Sequence, residues 1–234
     1  MNILDIVVLA LIAVFVLSGL YRGFIPSIMN LGAFFVSWVT AFLSYPLLSR
    51  ALVGSEFFTG LQFYIEGAER INNVELIRVP VATITEGQLS EIMAGAKMPS
   101  PFDSAIVQNV QRQAFAGEGL TTLGEYFDRT IYCVIINIIS LLLVFIALRV
   151  LLTLITNAVS YAAKLPQLRH YDALAGGGVS LIRGLFSMHM VFAVVPILFI
   201  MLPIQQVTDL LNSSTASGLF YSGSLVLRFL SGSI

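Results

Sequence analysis

His189, Asn137, Arg149 and Arg183 stand within or at the edge of long apolar stretches, where a group able to do chemistry is expensive to keep. Histidine is the side chain suited to passing protons at physiological pH, and the place of His189 one to two turns past Arg183 invites a proton-relay reading. A lone histidine with no carboxylate nearby in sequence more often hydrogen-bonds to a neighbouring helix. Asn137 likewise reads as a helix-to-helix hydrogen bond rather than an ion ligand. Gly176-Gly177-Gly178 has the look of a phosphate-cradling loop, yet no strand precedes it and no Walker lysine follows, so nucleotide binding is not expected. Two histidines and one cysteine cannot supply a familiar metal quartet, and neither Gly-x-Ser-x-Gly nor His-Glu-x-x-His occurs. No cofactor and no enzymatic step are therefore expected.

These residues must be held by membrane helices. Residues 3–20 and 25–48 form two apolar runs separated only by Tyr21-Arg22-Gly23-Phe24. Each run is long enough to cross the hydrocarbon core, which takes ~20 helical residues, and so short a link permits only a reversal. A third run, 130–155, contains Asn137 and Arg149, the latter near its end, where a long stem lets the guanidinium reach the headgroups. A fourth, 182–202, contains His189 and Pro196, and the proline predicts a kink. Composition agrees: of 234 residues 57% are hydrophobic and 11% charged, and the mean hydropathy is +0.91, which marks an integral membrane protein. A net charge of −1 gives no attraction to nucleic acid. The first run lacks the basic start and small-residue cleavage site of a signal peptide and reads as a retained span. Cys133, the single cysteine, cannot form an internal disulfide, and its apolar setting suggests packing.

The chain thus divides into a transmembrane hairpin (1–48), an amphipathic-helical outer segment (49–129), a second hairpin with its connection (130–204) and a tail (205–234). In the outer segment Phe57, Leu61, Tyr64, Ile65, Ala68 and Ile71 recur at helical spacing, and Phe102, Ile106, Val110 and Phe115 do so less regularly. Thr85 before Glu86, and Thr121 or Thr122 before Glu125, predict helix starts. The scattered acidic residues of this segment read as a solvated face rather than a catalytic pair. In the tail, 225–230 is too short to span and is expected at an interface or packed on the protein.

Four spans put the first turn and the connection between spans three and four on one side. That side carries Arg22, Arg149, Lys164, Arg169 and Arg183 against Asp172, which makes it cytoplasmic by the positive-inside rule and leaves both termini and 49–129 outside. Ser18-Gly19-Leu20-Tyr21-Arg22-Gly23-Phe24 aligns without gaps with Val179-Ser180-Leu181-Ile182-Arg183-Gly184-Leu185. Two repeated hairpins with a site at their interface would explain this; so would arginine anchoring helix ends and glycine turning the chain. Gly176, Ser180 and Gly184 recur every four residues and share a face if the fourth helix begins near Asp172, whose carboxylate would then favour the helix N-terminus.

The Leu-Asp-Ile apolar start, the Arg22-Gly23 turn, Tyr45-Pro46, and Asp172-x3-Gly176 leading to Arg183-Gly184 resemble the colicin V production protein family, over both hairpins and without the middle segment. The resemblance implies a small four-span protein of the bacterial inner membrane with no established catalytic activity, an accessory or scaffold in toxin or bacteriocin production and envelope processes. Its partners would be the bilayer and other membrane proteins or a second copy of the chain. Ser180 stands where the family commonly has a second glycine, and the outer segment and tail exceed the shorter family pattern. A small transporter or channel subunit is the rival, and its mark would be polar residues converging at midplane.

Overall fold

The computed structural model describes residues 2–234 apart from 63, 64, 66, 163–170 and 203, together with the side chains outside 159–162. Tyr64, Lys164 and Arg169, named above, lie outside the described residues. The described residues are almost all helical, with one isolated bridge between Pro80 and Thr122. Four helices are long and apolar enough to cross a membrane: α1 (Ile3–Arg22), α2 (Phe24–Val53), the greater part of α7 (Leu123–Ala162), and α8 (Asp172–Phe192) continued by α9 (Val195–Met201).

Their outward faces remain apolar and uncovered. Ile3, Val14, Leu17, Leu43, Leu47, Ile146 and Leu154 are all exposed, an arrangement that costs heavily in water and nothing in lipid. Gly23 alone separates α1 from α2. Its φ of 83° lies where only glycine is comfortable, and its N–H closes on Gly19 O at 2.9 Å.

Two compact units share the chain. The first comprises Met1–Tyr45, Leu141–Ala193 and Gln205–Ser224. Within it α1 runs antiparallel to α8, since Gly19 faces Ser180 while Phe15 faces Gly184. α2 runs parallel to α8, with Ser27 beside Ser180 and the Phe35 and Phe186 rings edge to face at 5.0 Å. The reversal at Gly23 follows from these two directions. Phe34 meets Phe145 at 5.4 Å and Asn30 meets Arg149, so α7 is antiparallel to α2.

The second unit comprises Pro46–Ser140, Val194–Ile204 and Leu225–Ile234. Its core is built from Phe102, Ile106, Val110 and Phe115 against Leu123, Tyr126, Phe127 and Ile131, with Cys133 also buried. Helix α6 (Phe102–Arg112) supplies the first three of these, and Phe115 follows it in the turn beyond. α3 (Glu56–Leu61), α4 (Val74–Ile77) and α5 (Glu86–Ala96) are short. Thr85 caps α5 in a reciprocal pair with Gln88. Thr122 and Glu125 bond reciprocally at the start of α7, so that helix begins before residue 130, and its 40 residues extend about 60 Å, roughly twice the hydrocarbon thickness.

In the middle segment the helical pieces are short, as expected: α3 ends at Leu61 and a single 3-10 turn covers Ala68–Arg70, with Phe57 80% exposed. Two expectations about the fourth span are corrected. The fourth span begins at Asp172, because the Ala- and Gly-rich stretch before residue 182 is helical through packing rather than hydropathy. Pro196 is the second residue of α9, after a break at Ala193 and Val194, instead of kinking a continuous helix, a position where its missing N–H costs nothing. The tail packs through Val226 and Leu227, both buried, in the second unit.

Ile106→Ala should cost about 2–5 kcal/mol and lower the melting temperature of the detergent-purified protein, whereas Phe57→Ala should stay within about 0.5 kcal/mol. Equal losses would contradict the placement of the second core.

Candidate functional site

The seam between α1 and α8 is closed by backbone. A side chain at Gly176 would meet Gly19 O and the Gly23 carbonyl carbon at 2.5 Å, one at Gly19 would collide with Gly176 O and Ser180, and one at Gly184 would press on Phe15 Cβ at 3.1 Å. Gly178 faces open space. Gly176, Ser180 and Gly184 therefore lie along one seam, as their four-residue spacing predicts. Such contact gains van der Waals energy that bulkier side chains would forfeit, since lipid offers no hydrophobic drive between helices.

At the top of this seam Asp172 lies in the first turn of α8, and its Oδ1 accepts from Phe24 N–H at 3.1 Å. Phe24 opens α2, so its N–H has no partner inside its own helix, and the carboxylate supplies one. A Cβ at Gly23 would overlap that same carboxylate. Arg22-Gly23 and Asp172, far apart in sequence, thus form a single junction of three helix ends.

Deeper in the first unit, a polar cluster joins α2, α7 and α8. Ser180 Oγ donates to Ser27 Oγ at 3.3 Å, and Arg149 Nη2 donates to Asn30 Oδ1 at 3.4 Å. Arg183 lies over the Phe15 ring at 5.1 Å. Both arginines are corrected: Arg149 and Arg183 sit within spanning helices, not at the connection between them. The seven-residue alignment consequently has no structural counterpart, since Gly23 ends a helix with positive φ while Gly184 lies inside one. Arg22 is exposed at the turn.

His189 and Asn137 stand apart from this cluster. His189 Nδ1 is 3.1 Å from Leu185 O of its own helix, and its ring meets Phe220 edge to face at 5.1 Å and Phe186 at 6.2 Å. Asn137, in the second unit, donates to Ser231 O at 2.9 Å and Ser233 O at 3.3 Å. Its partner is the tail rather than another span, so the helix-to-helix expectation is replaced for both residues.

Ser27 and Asn30 are not singled out in sequence, and Asp5 enters there only as part of the Leu-Asp-Ile start. Asp5 is buried and accepts from Asn2 N, Ser214 Oγ and Ala216 N at 2.8, 2.7 and 2.9 Å, tying the start of α1 to the segment 205–224. The spacing Asn2-x-x-Asp5, a reciprocal cap, was the signal available for it. For Ser27 and Asn30 the signal was simply their polarity inside an apolar run.

Four spanning helices with apolar outer faces and buried polar groups define an all-α, multi-pass membrane protein. The family model described as colicin V production protein matches residues 4–83, and over that stretch the likeness read from the sequence holds. The match takes in α1, α2 and the first part of the middle segment, so the likeness is shown over the first hairpin and reaches into a segment that the sequence reading left out of it. No curated protein and no solved structure matches the chain.

Gly176→Leu should abolish the folded yield in detergent, Gly184→Leu should reduce it, and Gly178→Leu should leave it near wild type. Asp172→Ala should lower stability by about 0.5–2 kcal/mol, with Asp172→Asn retaining part because it keeps an acceptor. Folded yield of the three glycine variants and thermal unfolding of the two Asp172 variants check both, and equal behaviour of the three glycine variants would contradict the seam.

Proposed function

We propose that the protein is a non-catalytic scaffold or accessory component of the bacterial cytoplasmic membrane, of the colicin V production type, serving toxin or bacteriocin production and related envelope processes. The observation that supports this is the backbone contact of α1 with α8: two spans locked at Gly19, Gly176 and Ser180 suit a static framework on which other membrane proteins, or a second copy, assemble. The match over residues 4–83 supports the family-level part of the reading.

Orientation follows from charge. With Arg149 and Arg183 inside helices, the first turn and the α7–α8 connection still carry Arg22, Lys164 and Arg169 against Asp172, which favours a cytoplasmic location for them and an external one for both termini and for 49–129.

One observation favours the rival reading of a small transporter or channel subunit: Arg149, Arg183, Asn30, Ser27 and Ser180 do converge within the first unit. A transporter must also alternate access, which a seam shut by backbone contact opposes. A histidine relay has less support, because the ring of His189 is engaged by Phe220 and its own helix.

With Cys133 replaced, a cysteine beside Lys164 should resist an impermeant thiol reagent in intact cells while one beside Glu86 reacts; the opposite pattern inverts the orientation. Purified protein in liposomes should give no ion or proton flux above empty vesicles. Robust flux lost in a folded His189→Ala variant would replace the scaffold by a proton-coupled carrier.

A further inference from the structure

Arg183 is 8% exposed, and its Nε, like Nη1 of Arg149, is buried without a hydrogen-bond partner among the described residues. No carboxylate among the described residues pairs with either arginine. Asn30, which holds Arg149, lies on α2 between Ser27 and Phe35, the residues that meet Ser180 and Phe186 on either side of Arg183, so the two arginines stand at one level of the first unit. What the chain sets against them is neutral: the Phe15 ring and the Asn30 amide oxygen. A cation withdrawn from water is kept only where something neutralises it, and like charges brought together sharpen that requirement.

Depth matters as well. Phe15 and Asn30 each lie about two helical turns from Gly23, or about 10 Å below the turn at which Arg22 is exposed. Arg149 and Arg183 therefore lie inward of headgroup level, about one helical turn beyond the bonded pair Ser27 and Ser180. Guanidinium groups offer planar forks that suit carboxylate and phosphate alike. Several guanidinium groups arriving from different helices suit the anion with oxygens on more than one side, which is phosphate.

We infer that Arg149 and Arg183, with Arg22 at the mouth, form a binding site for a phosphate group, supplied either by the headgroup of an anionic phospholipid or by a free phosphate. The site goes beyond the scaffold reading, because holding a phosphate needs no partner protein. Bound there, it would neutralise the buried Arg183 and the enclosed Nη1 of Arg149 and join α7 and α8 through a common ligand.

Native mass spectrometry of the full chain in detergent, titrated with phosphatidylglycerol and with phosphatidylcholine, tests the lipid source. Thermal unfolding in inorganic phosphate against chloride at equal ionic strength tests the free one. The wild type should retain the anionic lipid about tenfold more tightly than the zwitterionic one, and Arg149→Gln and Arg183→Gln should each remove that preference, with Arg149→Lys keeping part of it. Phosphate-specific stabilisation without lipid preference, lost in the same variants, would support the site with a soluble ligand. Should Arg183→Gln not fold, Arg149→Gln decides. The inference is overturned if the wild type shows neither preference, or if the preference survives in the folded glutamine variants.

Discussion

Direct contact between the backbones of α1 and α8 is the constraint from which the first unit is assembled. Inside a bilayer, helices gain nothing by hiding apolar side chains from lipid tails, so their association rests on closeness and on polar contacts. Gly19 and Gly176 allow the chains to meet at van der Waals distance, and Ser180 adds a hydroxyl without adding bulk. This approach carries the N-terminus of α8 to the Gly23 turn, where Asp172 can accept from Phe24 N–H. It also sets Ser180 against Ser27 and brings Arg183 over Phe15.

The buried polar groups divide by how their needs are met. Asp5 has three donors and fastens the segment 205–224 to the start of α1. Asn137 is answered by carbonyls of the tail, and Asn109 by Thr130 and Gly232 O in the same unit. Burial of such groups is tolerable because an amide or carboxylate with partners loses little on leaving water. Arg149 and Arg183 are different in kind, for their partners are too few and carry no charge. Intramembrane arginine left in that state marks a site whose ligand comes from outside the chain.

Much of this was legible in the sequence. Hydropathy located the spans, and the Thr85 and Thr122 caps placed the starts of α5 and α7 because capping chemistry is local. The four-residue spacing of Gly176, Ser180 and Gly184 marked the seam, since helical period alone decides which residues share a face. The rest depended on contacts between segments remote in sequence. Arg183 looked like an interfacial anchor because Gly176-Gly177-Gly178 lowers hydropathy in a stretch that packing nevertheless keeps helical. Asn137 could not reveal that its acceptors lie in the last residues of the chain. Phe57 fits a helical period, yet on the short α3 its ring stays exposed.

The close approach of α1 and α8 can be measured by disulfide formation in a chain carrying Cys133→Ser. A Cβ at Gly177 would lie 3.1 Å from Leu20 Cγ, whereas one at Gly178 meets nothing within 4 Å. Leu20→Cys with Gly177→Cys should therefore oxidise readily in native membranes, while Leu20→Cys with Gly178→Cys should not. Equal cross-linking of the two pairs, or none in the first, would contradict the seam on which the account rests.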